Sequence, residues 1–166
     1  YEQRLAKLLP EVRMVNAGVP GDTTERARAR FERDVLAHRP QAVILQFGAN
    51  DSAVDVWKGA TESRVGAERY GENLRFFLAE LRKRDCQAIL LTPGVFRWTS
   101  RLRGMYGKPP YDPEQPDGFC VTLRAYAEIV RRVAREGNVP LVDVFAAHEA
   151  YDAKPGQSAD ALFLDG

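Results

Sequence analysis

Four short apolar runs alternate with amphipathic helical patterns along the chain, and this order limits the fold more than any other feature. The runs cover residues 12–16, 42–47, 88–91 and 141–145, and each predicts a strand. Their apolar character is typical of strands that are covered on both faces. Strands and helices in alternation favour right-handed crossovers onto a parallel sheet. The sequence therefore predicts an α/β fold, a three-layer α/β/α sandwich whose parallel sheet lies between helices.

Three amphipathic helices are predicted between these strands. The first begins at Asp22, whose carboxylate can cap it, and Glu25 stands three residues later as a capping box requires. The second covers residues 65–84 and the third covers residues 120–136. Apolar residues recur in each at helical spacing, so one face of each helix is expected to pack in the core. These apolar residues are Ala27, Phe31 and Val35 in the first helix, Tyr70, Leu74, Phe77, Leu78 and Leu81 in the second, and Leu123, Tyr126, Ala127, Val130 and Val133 in the third.

One connection is longer than the others. Residues 92–118 contain five prolines and four glycines, and they predict a long loop insertion after the third strand. Ligands of open α/β sheets bind beyond the carboxyl ends of strands, so this loop is placed to cover a site, although an irregular surface insertion explains it equally well. Within it, Arg97 and Trp98 are our candidates for substrate binding, because a guanidinium can meet an acidic group and an indole can stack on a sugar. Ordinary loop packing explains Trp98 about as well.

The composition excludes several classes of protein. Lys and Arg number 24 and Asp and Glu number 23, so the net charge of +1 provides no field that attracts nucleic acid. No apolar run approaches the roughly 18 residues of a membrane span. Two cysteines supply neither a disulfide scaffold nor, alone, a zinc site. We therefore predict no nucleic-acid partner, no membrane span, no metal and no cofactor, while the compartment and the oligomeric state stay open.

Three polar segments, residues 16–23, 48–51 and 164–166, fall at strand ends or in a loop. Each alone is explained by a turn or a helix cap. Together, in this order and on this alternation, they resemble the SGNH or GDSL family of serine ester hydrolases over nearly the whole chain. Val-Pro-Gly-Asp-Thr at 19–23 is similar to the family's second block, Phe-Gly-Ala-Asn-Asp at 47–51 to its third, and the terminal Asp-Gly to the start of its Asp-x-x-His block. The segment from Arg69 to Leu74 is similar to the helix that follows the third block.

The resemblance implies a flavodoxin-like topology and assigns roles to three residues. Gly21 and Asn50 are expected to form the oxyanion hole, which needs donors that are fixed before the reaction. Gly21 lacks a Cβ, so its amide can approach a substrate closely, and Asn50 offers an uncharged NH₂ donor. Asp165 is expected to orient the catalytic histidine by accepting its Nδ1–H.

The same resemblance shows what these residues lack. The family's nucleophile lies in a Gly-Asp-Ser block on the first strand, and its base is the histidine three residues after the aspartate, but neither occurs in the chain. We therefore expect residues 1–166 to form one domain truncated at both ends, with the first strand outside it. Ser52 is a poor replacement because no Gly-x-Ser-x-Gly elbow surrounds it. His38 fits the end of a helix, and His148 lacks the second histidine of a zinc signature.

Three functional hypotheses follow. The first is a hydrolase of carboxylic esters, with small acyl or carbohydrate-linked acetyl esters as substrates and a serine acyl-enzyme as intermediate. The second is a catalytically silent domain of the same fold that binds a carbohydrate or a partner protein through residues 92–118. The third is a flavodoxin-like nucleotide binder, for which fold-level analogy is the only support.

Overall fold

The computed structural model describes residues 2–158, which form three strands and six helices. Two short 3₁₀ turns, Leu36–His38 and Val56–Lys58, lie in the connections around the first strand. The strands are β1 (Ala42–Gln46), β2 (Gln87–Leu91) and β3 (Leu141–Val142). The helices are α1 (Glu2–Leu8), α2 (Thr24–Asp34), α3 (Ala67–Arg82), α4 (Ser100–Tyr106), α5 (Val121–Gly137) and α6 (Val144–Asp152).

The three strands form a parallel sheet in the order β1-β2-β3. Ile44 lies opposite Ile89 in the first pair, and Leu90 lies opposite Leu141 in the second. Helix α3 connects β1 to β2, and α5 lies between β2 and β3, so each parallel pair is joined through a helix as βαβ units require. The predicted α/β class with a parallel sheet is confirmed.

One face of the sheet carries the main core. Leu45, Ala88 and Leu90 on this face are buried against α2, α3 and α5. Phe77 of α3 is fully buried, and the centroid of its ring lies 4.7 Å from the ring centroid of Phe31. All the apolar residues predicted to face the core from the three helices are buried, except Val35, which ends α2 and is partly buried. The predicted helical stripes are therefore confirmed.

The other face of the sheet is more open among the described residues. Ile44 and Val142 point away from the main core and are 37% and 51% exposed. The prediction that the strands are covered on both faces is wrong for these two positions, because α2, α3 and α5 all pack on the side of Leu45.

Two strand predictions are corrected. Residues 12–16 are not a strand, and Val12 and Val15 are 50% and 48% exposed. Among residues 2–158 no strand lies beside them to pair with their backbone groups. The last strand is also shorter than predicted, because the side chain of Asp143 accepts a hydrogen bond from the amide of Ala146 and caps α6. Residues 144 and 145 are therefore helical.

The remaining differences concern helix ends and the long connection. Thr23, not Asp22, caps α2 by accepting from the amide of Arg26, while Asp22 pairs with Arg30 at 2.7 Å. The segment 92–118 is not wholly irregular, since it contains α4, which begins after the cap residue Thr99. Helix α1 was not predicted. No helix of the described residues is long and apolar enough to cross a bilayer.

A first prediction concerns the core around Phe77. Replacing Phe77 by Ala removes a fully buried ring at the contact of α2, α3 and the sheet. We expect the free energy of unfolding to fall by about 3–5 kcal/mol, since the transfer free energy of the ring is lost and a cavity remains. Urea unfolding followed by circular dichroism measures the change.

The control is Val121→Ala, because Val121 is also apolar and helical but 44% exposed. Its expected effect is below about 0.5 kcal/mol. Equal losses in the two variants would show that the core is not centred where Phe77 lies.

Candidate active site

The turn that follows β1 passes close to other parts of the chain. Gly48 has φ +116°, and a Cβ at this position would lie 3.0 Å from the hydroxyl of Tyr70 and 3.2 Å from Cγ of Pro93. The Tyr70 hydroxyl donates to the carbonyl of Phe47 at 3.1 Å. Only glycine combines this backbone conformation with this close approach. The turn is thereby fixed against α3 and the segment after β2, at the carboxyl edge of the sheet.

Asp51 connects this turn to the start of α2. Its side chain is fully buried, and Oδ1 accepts hydrogen bonds from the amide of Thr24 at 2.8 Å and from the hydroxyl of Thr24 at 2.5 Å. Oδ2 accepts from the amide of Gly48 at 3.2 Å. Burial raises the pKa of Asp51, and these hydrogen bonds act against the shift because they favour the ionised form. Residues that are 27 apart in sequence are thus joined by one carboxylate.

Asn73 of α3 extends this buried network. Its Nδ2 donates to the hydroxyl oxygen of Thr24 at 3.2 Å and to Oε2 of Glu25 at 2.9 Å. Its Oδ1 accepts from the guanidinium of Arg28 at 3.0 Å. Because the Thr24 hydroxyl accepts from Asn73, its own proton is directed to Asp51. The two loops and α3 therefore form one hydrogen-bonded unit.

Gly21 lies in the loop before α2. It is exposed, has φ +74°, and no atom lies within 4 Å of where a Cβ would be. Its amide donates to no acceptor among residues 2–158. The loop is held by Arg30, which donates to Asp22 at 2.7 Å and to the carbonyl of Ala17 at 2.9 Å. The Gly21 amide is thus available to an external acceptor on a braced loop.

Asn50 lies in the turn after β1 and is half-buried. Arg64 donates from Nη1 to Oδ1 of Asn50 at 3.1 Å. A guanidinium carries only donors, so the amide oxygen must face Arg64 and Nδ2 faces away from it. Within the described residues, Nδ2 of Asn50 meets no acceptor. The side chain thus presents an unused NH₂ donor at the carboxyl edge of the sheet.

Asp55 holds Arg64 in turn. Nε and Nη2 of Arg64 donate to the two carboxylate oxygens of Asp55 at 3.1 and 2.8 Å. The hydroxyl of Tyr106 donates to Oδ1 of Asp55 at 3.0 Å. The Arg64 hydrogen bonds, followed by the one from Tyr106, lower the pKa of Asp55 to about 2 although burial acts in the opposite direction. The contribution of this pairing to the free energy of unfolding is therefore complete at pH values above the ordinary pKa of an aspartate. It is lost as the pH falls from there through about 2.

The two substrate-binding candidates in segment 92–118 make internal contacts. The indole N–H of Trp98 donates to the carbonyls of Gln115 and Asp112 at 2.9 and 3.2 Å, and its ring packs edge-on against Phe119. Arg97 forms an ion pair with Asp152 of α6. No described contact joins either residue to Gly21 or Asn50. Their part in substrate binding stays a prediction.

Two tyrosines of the same segment connect it to the turn after β1. Tyr106 and Tyr111 are 6% and 4% exposed. The hydroxyl of Tyr111 accepts from the amide of Val54 at 2.8 Å, and that of Tyr106 donates to Asp55. The two side chains therefore fix the segment to the residues that follow Asn50 and are not open platforms for a sugar.

The remaining candidates are placed as follows. Ser52 is 2% exposed, so its hydroxyl is not accessible to a substrate. His38 ends a 3₁₀ turn, as expected for a helix end, and His148 packs beside Gly94. Asp165 lies outside the described residues. Within the described part of the chain, no three His, Cys, Asp or Glu side chains are grouped to hold a metal.

Four residues of the site were missed by the sequence analysis, namely Thr24, Asp55, Arg64 and Asn73. Their contacts join positions that are 9 to 51 residues apart. Only Asn73 lies within a segment that resembles the family, the one from Arg69 to Leu74. No local pattern indicates that its side chain points into the core.

The described residues thus form a parallel α/β domain in which two loops, joined by Asp51, carry N–H donors that meet no acceptor within residues 2–158. The turn with Asn50 lies at the carboxyl edge of the sheet, where open α/β sheets bind their ligands. The sequence profile of the GDSL-like lipase/acylhydrolase family matches residues 1–166, and the chain belongs to this family.

The chain is also similar to individual proteins over most of its length. The uncharacterized lipoprotein YqeF of Bacillus subtilis is 35% identical over 78% of this chain and 54% of its own length. An acetylxylan esterase of Geobacillus stearothermophilus is 29% identical over 86% of this chain and 60% of its own length. A crystal structure of the acetylxylan esterase Axe2 from the same organism superposes with a TM-score of 0.69 at 27% identity, covering 98% of this chain and 69% of that one. Structures of Axe2 in which a serine, an aspartate or a histidine is replaced are described as catalytic mutants. The chain thus spans little more than half the length of the curated relatives it matches.

The buried network yields a second prediction. Thr24→Val keeps the shape of a fully buried side chain but removes the hydroxyl between Asp51 and Asn73. We expect the free energy of unfolding to fall by about 1–3 kcal/mol, because the carboxylate loses a donor and the amide loses an acceptor. Thermal and urea unfolding measure the loss.

Thr61→Val is the matched control, since Thr61 is exposed. It should change stability by less than about 0.5 kcal/mol. If both variants were equally stable, the Thr24 hydroxyl would not be joining the two loops.

Proposed function

We propose that the protein hydrolyses carboxylic esters through a serine acyl-enzyme, with the amide of Gly21 and the side chain of Asn50 as oxyanion donors. The observation that carries the proposal is the pair of unused N–H donors on two loops that the Asp51 carboxylate joins. Donors that are fixed before the reaction stabilise the developing negative charge without reorganising. Membership of an acylhydrolase family supports the same reaction.

The proposed reaction has two halves. A serine Oγ attacks the carbonyl carbon and gives up its proton to a histidine, and the carbonyl oxygen becomes the oxyanion that Gly21 and Asn50 bind. The C–O bond to the alcohol then breaks, and the histidine returns the proton to the departing alcohol. Water attacks the acyl-enzyme by the same route, releases the acid and restores the serine.

Asp165 is proposed to accept the Nδ1–H of this histidine and to stabilise the imidazolium. We assign the serine and the histidine to the part of the relatives' length that this chain does not cover. The relatives support this set of residues, because Axe2 variants at a serine, an aspartate and a histidine are called catalytic mutants.

We propose acetyl esters of carbohydrates as the substrates. The support is the similarity to acetylxylan esterases in sequence and in structure. Acetyl esters should therefore be hydrolysed faster than octanoyl esters of the same alcohol.

The third prediction tests the oxyanion role of Asn50. In the intact protein, Asn50→Ala should lower kcat for p-nitrophenyl acetate by about 10²–10³-fold with a smaller change in KM, because the donor acts mainly on the charge of the transition state. Steady-state kinetics on folded variants measure both constants.

The control is Gln87→Ala, which removes an amide side chain from an exposed position at the start of β2, the opposite end of the sheet. It should leave kcat unchanged. The intact mass before and after treatment with a fluorophosphonate tests the serine independently, since one adduct is expected. A protein that gains no adduct and hydrolyses no ester would favour a silent carbohydrate- or protein-binding domain.

A further inference from the structure

We propose that Arg64, held by Asp55 and Tyr106, is a positioning residue that fixes the orientation of the Asn50 amide and so determines which of its atoms faces the substrate. The inference rests on the proposed function, since it deepens the role of Asn50 as an oxyanion donor. It assigns a task to a cluster of charged side chains that the proposed reaction does not otherwise use.

The geometry of the guanidinium carries the argument. Arg64 binds both oxygens of Asp55 with Nε and Nη2, which fixes the plane of the guanidinium. In that plane Nη1 points at Oδ1 of Asn50 at 3.1 Å. The side chains of Arg64 and Asp55 are 31% and 12% exposed, so solvent screens the pair only in part. The ion pair of Arg64 and Asp55 thus determines the direction in which the NH₂ group of Asn50 points.

The amide of Asn50 has two orientations that differ by a half-turn about its last side-chain bond. In the observed orientation its oxygen meets the Arg64 donor and its NH₂ is presented elsewhere. The reversed orientation would place the NH₂ against the guanidinium, donor against donor, and would present an oxygen to the oxyanion. Arg64 therefore selects the orientation that can stabilise negative charge.

Tyr106 connects the Arg64–Asp55 ion pair to segment 92–118. It ends α4, is almost fully buried, and donates its hydroxyl proton to Oδ1 of Asp55 at 3.0 Å. The same hydroxyl oxygen accepts from Nη2 of Arg64 at 3.5 Å and from the indole N–H of Trp57 at 3.3 Å. The long segment thus acts on Asn50 through two intervening side chains.

The test is a double-mutant cycle on the intact protein with p-nitrophenyl acetate. Arg64→Met keeps much of the side-chain length but removes every donor, and we expect it to lower kcat about 10- to 100-fold, within the loss expected for removing Asn50 itself. In the Asn50→Ala background the same change should have almost no further effect, because its target is gone. Arg64→Lys should recover part of kcat, and Tyr106→Phe should lower it less than Arg64→Met.

Arg75→Met is the matched control, since Arg75 forms a comparable ion pair with Glu136 between α3 and α5. It should leave kcat and KM unchanged. Losses from Arg64→Met and Asn50→Ala that multiply independently would overturn the proposal, because Arg64 would then act by another route.

A second measurement separates this inference from the proposed function. The ¹⁵N side-chain resonance of Asn50, identified by its disappearance in Asn50→Ala, should shift in Arg64→Met and stay in place in Arg75→Met. A shift in a protein without esterase activity would support the positioning role and refute the enzyme. An unchanged resonance would overturn the positioning role whether or not esters are hydrolysed.

Discussion

The buried carboxylate of Asp51 is the interaction on which the site depends. Its oxygens are not accessible to solvent, so the cost of burying them is offset by three hydrogen bonds from Thr24 and Gly48. Those donors come from the start of α2 and from the turn after β1, and both loops are fixed when the carboxylate is satisfied. The donors of Gly21 and Asn50 are carried by the same two loops. A fold whose strands and helices pack correctly would still lack the connection between these two loops without the Asp51 side chain.

The regular elements could be predicted because they follow from local patterns. The helices α2, α3 and α5 have apolar residues at helical spacing, and β1 and β2 are apolar runs bounded by turn residues, so each signal lies within the element itself. The errors occurred where the outcome depends on distant groups. Residues 12–16 have strand-like composition but no strand beside them among the described residues, and β3 ends early because Asp143 caps a helix.

The site could be predicted only in part, for a related reason. Gly21 and Asn50 stand in short motifs, and a resemblance to a family was enough to indicate them. Arg64 and Asp55 stand in no motif, and their pairing with Asn50 and Tyr106 exists only after the chain has folded. The hydrogen bonds that hold the Asn50 side chain leave no local pattern in the sequence, since the partners lie 9 and 14 residues apart.

The contact between Tyr106 and Asp55 has a consequence for how such a protein can diversify. Segment 92–118 follows β2, and its Tyr106 contacts the ion pair of Asp55 and Arg64 that holds the amide oxygen of Asn50. Under the proposed function, a change in this segment that displaced Tyr106 would alter the turnover of every ester as well as any contact that the segment makes with the substrate. Binding and rate would then change together whenever the segment is altered.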